Sequence, residues 1–218
     1  MKNFALTALV AAWALLGQTP AWGQKFEVLL NDGLNFSTLV GVENASATAG
    51  LYSEIALGYH FNDALGLEFG LAWSEQGAMN SIGETFYTYE YDYLNFPLVG
   101  TYTLPNQKFT FFAGVQAGCF LIAKYSYESP SLLGDGVVSD DGYLKSGEFR
   151  PLDFGATVGM RWLAAPEYDL AIEVRYTRGL TPTHKGVATS TYDDPLVYVP
   201  NNRNSVLRIG VSWALWRK

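Results

Sequence analysis

The stretch LYSEIALGYHF, residues 51–61, decides the fold. Leu51, Ser53, Ile55, Leu57, Tyr59 and Phe61 share one side of an extended chain, and Tyr52, Glu54, Ala56, Gly58 and His60 share the other. A β-strand sends successive side chains to opposite faces, so one face here is bulky and apolar and the other is small or charged. The alternation returns in LGLEFGLAW (65–73), DLAIEVRYTRGL (169–180) and VLRIGVSWALW (206–216). The second face consists of Gly, Ala, Ser and Thr with scattered Glu and Arg, and it carries almost no Lys. Such a face is a poor exterior for a soluble protein and a good lining for a narrow closed tube. The bulky face then points outward into lipid.

Working outward from these segments, eight strands are expected, over 25–38, 50–61, 65–73, 91–104, 109–122, 151–163, 169–180 and 205–216. Pro97 falls on the second face of the fourth and predicts a bulge there. The connections at 62–64, 105–108 and 164–168 are short, whereas those at 40–49, 74–90, 123–150 and 181–204 are long. Short turns at one end, long loops at the other and an even strand number are the signature of outer-membrane barrels. The fold class expected is therefore all-β, an eight-stranded antiparallel up-and-down transmembrane barrel with both termini on the periplasmic side. Two aromatic belts mark its interfaces. Trp73, Tyr91, Tyr93 and Tyr176 lie toward the long-loop end, and Tyr59, Phe61, Tyr102, Trp162, Trp213 and Trp216 toward the short-turn end.

The amino terminus fits export. Lys2 precedes a short apolar stretch over 4–17, and Ala21-Trp22-Gly23 supplies small residues for cleavage before Gln24. Residues 1–23 are read as a signal peptide and 24–218 as one barrel domain. A lone cysteine, Cys119, excludes an internal disulfide framework and is read as a small outward apolar residue. Charged residues make up 16% of the chain, against an average of about 25%. The net charge of −7, with no basic stripe, argues against nucleic acid as a partner.

At the carboxyl end, Arg208, Gly210, Trp213 and Leu215 form a pattern similar to the signal read by the barrel-assembly machinery of the outer membrane. More broadly, the chain resembles the PorT-like outer-membrane β-barrel proteins of Bacteroidota-type bacteria. The resemblance rests on GLNFSTLVG (33–41), LGLEFGLAWSEQGA (65–78), YLNFPLVGTYTL (93–104), FFAGVQAGCFL (111–121), LDFGATVGMRWL (152–163) and LAIEVRYTRGLT (170–181). It implies an eight-stranded barrel and, through the member that named the family, a link to protein secretion. It brings no catalytic residues.

Glu54, Glu68, Asp153, Arg161, Glu173, Arg175 and Arg208 all fall on the lumen phase. They are expected to fill the narrow interior as a charge-paired network, with Arg208 facing Glu173 across the last two strands. No metal or cofactor site is expected. Asp140-Asp141 and Asp193-Asp194 lack the spacing of a calcium loop. His60 is read as an interfacial side chain. His184 lies among Thr181, Thr183, Ser190, Asp193 and Asp194, the raw material of a hydrolase acting on lipid or lipopolysaccharide. A soluble periplasmic barrel for an apolar ligand would require the two faces to be exchanged. The reading adopted is a non-enzymatic barrel acting through its loops in partner docking, adhesion or assistance to secretion. Phe86, Tyr87, Tyr89, Tyr125, Tyr127, Leu132, Leu133, Tyr192, Leu196 and Tyr198 are its candidate contact residues. The partners implied are outer-membrane lipid, the assembly machinery, and a secretion-system component or an extracellular protein or glycan.

Overall fold

The computed structural model describes residues 25–42, 45–82, 84–130, 137–143, 149–183 and 202–217. The signal peptide expected over 1–23 lies outside the described residues. Nine strands follow in order: β1 Lys25–Val40, β2 Thr48–His60, β3 Leu65–Ile82, β4 Thr85–Thr103, β5 Phe109–Pro130, β6 Val137–Tyr143, β7 Leu152–Ala165, β8 Leu170–Gly179 and β9 Arg203–Arg217. All pairings are antiparallel. Each barrel strand joins its sequence neighbour, and β1 pairs with β9 to close the ring.

Eight of the nine strands form the barrel, as the alternation predicts. The ninth, β6, is an addition. The lower half of β5, Phe109 to Cys119, pairs with β7, and its upper half, Lys124 to Pro130, pairs with β6. The connection expected over 74–90 is likewise not a loop. β3 and β4 stay paired as far as Ile82 and Thr85. These extensions alternate too, but the outward positions of the β4 extension over 85–90 are Phe86, Thr88 and Glu90, two of them polar. They stand beyond the apolar belt in water, so a search for apolar outward faces passes them over.

The short turns are fixed by side-chain caps. Asn62 Oδ1 accepts from the backbone N–H of Ala64 at 2.9 Å and of Leu65 at 2.8 Å. Asn106 Oδ1 accepts from Lys108 N–H at 3.0 Å. Pro97 interrupts the β3–β4 ladder between Phe69↔Leu98 and Ala72↔Asn95, yet the register is unchanged. The bulge expected there lies higher, where Asp92 and Tyr93 face Ile122 and Phe120.

The bulky phase is outward on every barrel strand. Leu57, Phe69, Val115 and Val158 are 46%, 51%, 56% and 54% exposed. Alternating with them, Glu54, Ala56, Glu68, Ala72, Thr157 and Arg175 are buried. An apolar wall around a polar interior fits hydrocarbon outside, and closure leaves no open sheet edge there. Trp73, Tyr176, Phe61, Tyr102, Trp162, Trp213 and Trp216 are exposed at the two rims as expected. Tyr91 and Tyr93 are not belt residues. They continue the inward phase of Asn95, Val99 and Thr101 and are fully buried.

Candidate functional site

The lumen is built in tiers. At mid-height, β2, β3, β7, β8 and β9 each contribute charge to one network. Arg161 on β7 donates through Nη1 and Nη2 to both oxygens of Glu68 on β3, at 2.6 and 2.5 Å, and through Nε to Glu173 at 2.7 Å. Glu173 on β8 also accepts from Arg175 Nε at 3.0 Å and from Arg208 Nη2 at 2.6 Å. Glu54 on β2 lies 3.3 Å from Arg175 Nη1 and 3.6 Å from Arg208 Nη1, and it accepts from the Tyr52 hydroxyl. Three carboxylates meet three guanidinium groups, so the cluster is neutral. Phe112 lies under Arg161 and Arg175, and Tyr52 under Arg208.

Six of the seven expected network residues are thus brought together. Asp153 is not. It sits higher, where the Thr181 hydroxyl donates to it at 2.5 Å and Asn204 Nδ2 at 3.1 Å. Residue 153 is one of the first in β7, too near the rim to reach the guanidinium groups. His60 is not an interfacial side chain either. Its Nε2 lies 2.8 Å from Glu27 Oε1, inside a cavity of about 160 Å³ at the short-turn mouth. Glu27 is masked in the sequence by the apolar Phe26, Val28 and Leu30 around it, which advertise only the outward face. Its parity in β1 already placed it inward.

Above the charges comes an amide and hydroxyl tier. Asn35 Nδ2 donates to Ser74 Oγ at 2.9 Å, and Gln76 Nε2 donates to the same atom at 3.1 Å. Above that, Leu39, Ala78, Tyr89, Tyr91, Tyr93, Ala123 and Phe149 form a buried cluster. Phe149 stacks on Phe120 with centroids 4.6 Å apart and packs against Tyr91 at 5.4 Å. Composition alone does not reveal this aromatic stopper, because Phe149 reaches it from outside the strand pattern.

Beyond the stopper, the upper parts of β3, β4 and β5 join β6 in a four-stranded blade. Its outer face carries Glu90 opposite Lys124, Asp141 opposite Ser126 and Glu128 opposite Phe86, with Phe86 55% and Tyr143 70% exposed. Thr88, Glu90, Lys124, Ser126, Asp141 and Tyr143 line a cavity of about 140 Å³. The expected loop contacts Phe86, Tyr87, Tyr125 and Tyr127 are strand residues of this blade. Only Phe86 stands free. Tyr87 and Tyr125 pack on the buried cluster, and Tyr127 lies 6.1 Å from Tyr87, ring to ring. Tyr89 is buried, and Tyr143 takes the exposed aromatic place instead. His184, Ser190, Tyr192, Asp193, Asp194, Leu196, Tyr198, Leu132 and Leu133 lie outside the described residues. Among the described residues no group of three or more His, Cys, Asp or Glu is placed to hold a metal ion.

In β9, Arg208 and Gly210 point inward while Trp213 and Leu215 point outward. Leu215 is the extra residue of a bulge opposite Val28 and Leu29.

Among solved structures, the chain is similar in fold to CarO2 of Acinetobacter baumannii, at 14% identity over 86% of this chain and 99% of that one, with a TM-score of 0.50. Ail of Yersinia pestis aligns at 11% identity over 90% of this chain and 99% of that one, with a TM-score of 0.45. Neisserial surface protein A aligns at 14% identity over 87% and 97%, with a TM-score of 0.45. No curated protein matches in sequence. Residues 18–185 match the family described as the outer membrane protein beta-barrel domain, and the chain belongs to that family.

Proposed function

We propose that this protein is a plugged, non-enzymatic outer-membrane barrel that works through the blade and the connections at its long-loop end. Both termini lie in the periplasm, after removal of residues 1–23, and the blade faces outward from the cell. The single observation that carries the reading is the double stopper. A neutral charge cluster and an aromatic cluster close the lumen one above the other. A closed lumen leaves the blade as the surface available for work. Exposed Phe86 and Tyr143 among acidic residues suit a protein or glycan partner. The PorT-like resemblance adds assistance to secretion as the process such docking would serve. The Arg208, Gly210, Trp213 and Leu215 pattern is the part offered to the assembly machinery.

Deleting residues 131–145 tests the proposal. The truncated barrel should still assemble, as read by heat-modifiable mobility on gels. It should lose capture of extracellular proteins or immobilised glycans, or impair secretion. Unchanged capture and secretion would contradict the docking role. Acyl release from lipid by the intact chain, abolished by His184→Ala, would replace it with a hydrolase.

A further inference from the structure

Asp32 stands exposed on the outward face of β1, between the two aromatic belts. One line of cross-strand partners fixes its depth: Trp73, Ser53, Asp32, Val211, Ile172 and Trp162. The line starts at the long-loop belt and ends at the short-turn belt, and Asp32 falls between them. Its outward neighbours along β1 are Leu30 and Leu34. A carboxylate facing hydrocarbon is expensive, and intramembrane ionisable groups ordinarily turn toward a partner. In this chain the other mid-depth carboxylates, Glu54, Glu68 and Glu173, are inside and paired with arginine.

A second observation points the same way. Among the described residues, apart from Ser53 and the thiol of Cys119, the remaining outward positions between the belts hold aliphatic, aromatic, Met or Gly residues. The one other hydrophilic side chain on that wall is Ser53, and it faces Asp32 directly across β1–β2. A carboxylate accepts, and a hydroxyl can donate. Side by side, the two are complementary to a copy of themselves under a two-fold axis, where residue i meets j and j meets i. Between the belts this wall presents no cation, so among described surfaces a second copy answers Asp32 through Ser53. We propose that the β1–β2 wall is a homodimer interface within the membrane, in which Asp32 of each copy accepts from Ser53 of the other. Leu34, Leu51, Ile55 and Ile209 surround the pair as apolar packing surface.

The test uses the full chain in native outer membranes with Cys119→Ala as background. Co-expressed copies, one carrying Asp32→Cys and the other Ser53→Cys, should form a disulfide-linked pair on oxidation with the reciprocal Ser53–Asp32 contact left intact, and Val115→Cys on the opposite wall should form none. In a second arm, the purified chain in phospholipid vesicles should show energy transfer between labelled copies. Asp32→Leu should abolish that transfer while heat-modifiable mobility shows the barrel folded. Asp32→Asn, which keeps an acceptor, should retain it. Equal cross-linking from both walls, absence of dimer in both arms, or a dimer that survives Asp32→Leu would overturn the proposal. Cross-linking of Ser53→Cys to a different protein alone would overturn it in favour of a heterologous membrane partner.

Discussion

Arg161 spans the barrel from β7 to grip both oxygens of Glu68 on β3, at 2.6 and 2.5 Å. These strands are not neighbours in the sheet. The bond therefore ties opposite walls together, which backbone hydrogen bonds between adjacent strands cannot do. Both side chains are buried, so the pair's worth depends on each keeping the other.

Removing one member should be costly. Glu68→Gln should destabilise the barrel by about 3–5 kcal/mol, because Arg161 is left buried with one carboxylate fewer. Glu68→Leu combined with Arg161→Met should recover much of that, since an apolar pair of similar volume carries no stranded charge. Urea unfolding in lipid vesicles, followed by tryptophan emission, measures both. A double variant as unstable as the sum of the two single variants would show that the pair is not coupled.

Glu173 is the acceptor for three guanidinium groups, from Arg161, Arg175 and Arg208. Glu173→Gln should therefore lower the unfolding midpoint more than Glu54→Gln, whose nitrogens lie at 3.3 and 3.6 Å. Adding Arg208→Met to Glu173→Gln should restore part of the loss. The ordering of the two midpoints is the check.

Gly70 faces the lumen beside Glu54. A Cβ there would collide with Glu54 Oε1 and come within 2.9 Å of Pro97. Gly70→Ala should push Glu54 away from Arg175 and Arg208 and cost roughly 1–3 kcal/mol, as overpacking does. Gly100→Ala is the control, because the nearest atom to a Cβ there is 3.9 Å away. The two should separate clearly in the same unfolding assay.

The outward wall gives the opposite sensitivity. Phe69→Arg or Leu57→Arg should cost about 2–4 kcal/mol near the mid-plane and show as a loss of the heat-modifiable folded band. Arginine tolerated at both positions in membranes would reverse the assignment of inside and outside.

Much of this molecule is legible in its sequence because the lipid wall enforces a strict two-residue period. Leu65, Leu67, Phe69, Leu71 and Trp73 give away β3 and its facing direction without any further information. The same period turns Glu54, Glu68, Arg161, Glu173, Arg175 and Arg208 inward, so the membership of the charge cluster could be read by parity. Parity gives direction but not height, and for that reason it groups Asp153 with arginines that it does not meet. Outside the membrane the constraint lapses. Thr88 and Glu90 are polar and face water, so the β4 extension that carries them has the pattern of a loop, and Tyr91 and Tyr93 at its foot have the pattern of a belt. β6 was hidden for the same reason, since VVSDDGY carries no sustained apolar face.

The claim on which the account turns is that the lumen is closed by its own side chains. Single-channel recording of the purified chain in planar lipid bilayers tests it most directly. The account predicts no stable conductance from the intact barrel, because the Glu68–Arg161 clamp and the Tyr91–Phe149 cluster obstruct the path in series. A steady open level of porin size from the intact chain would contradict it.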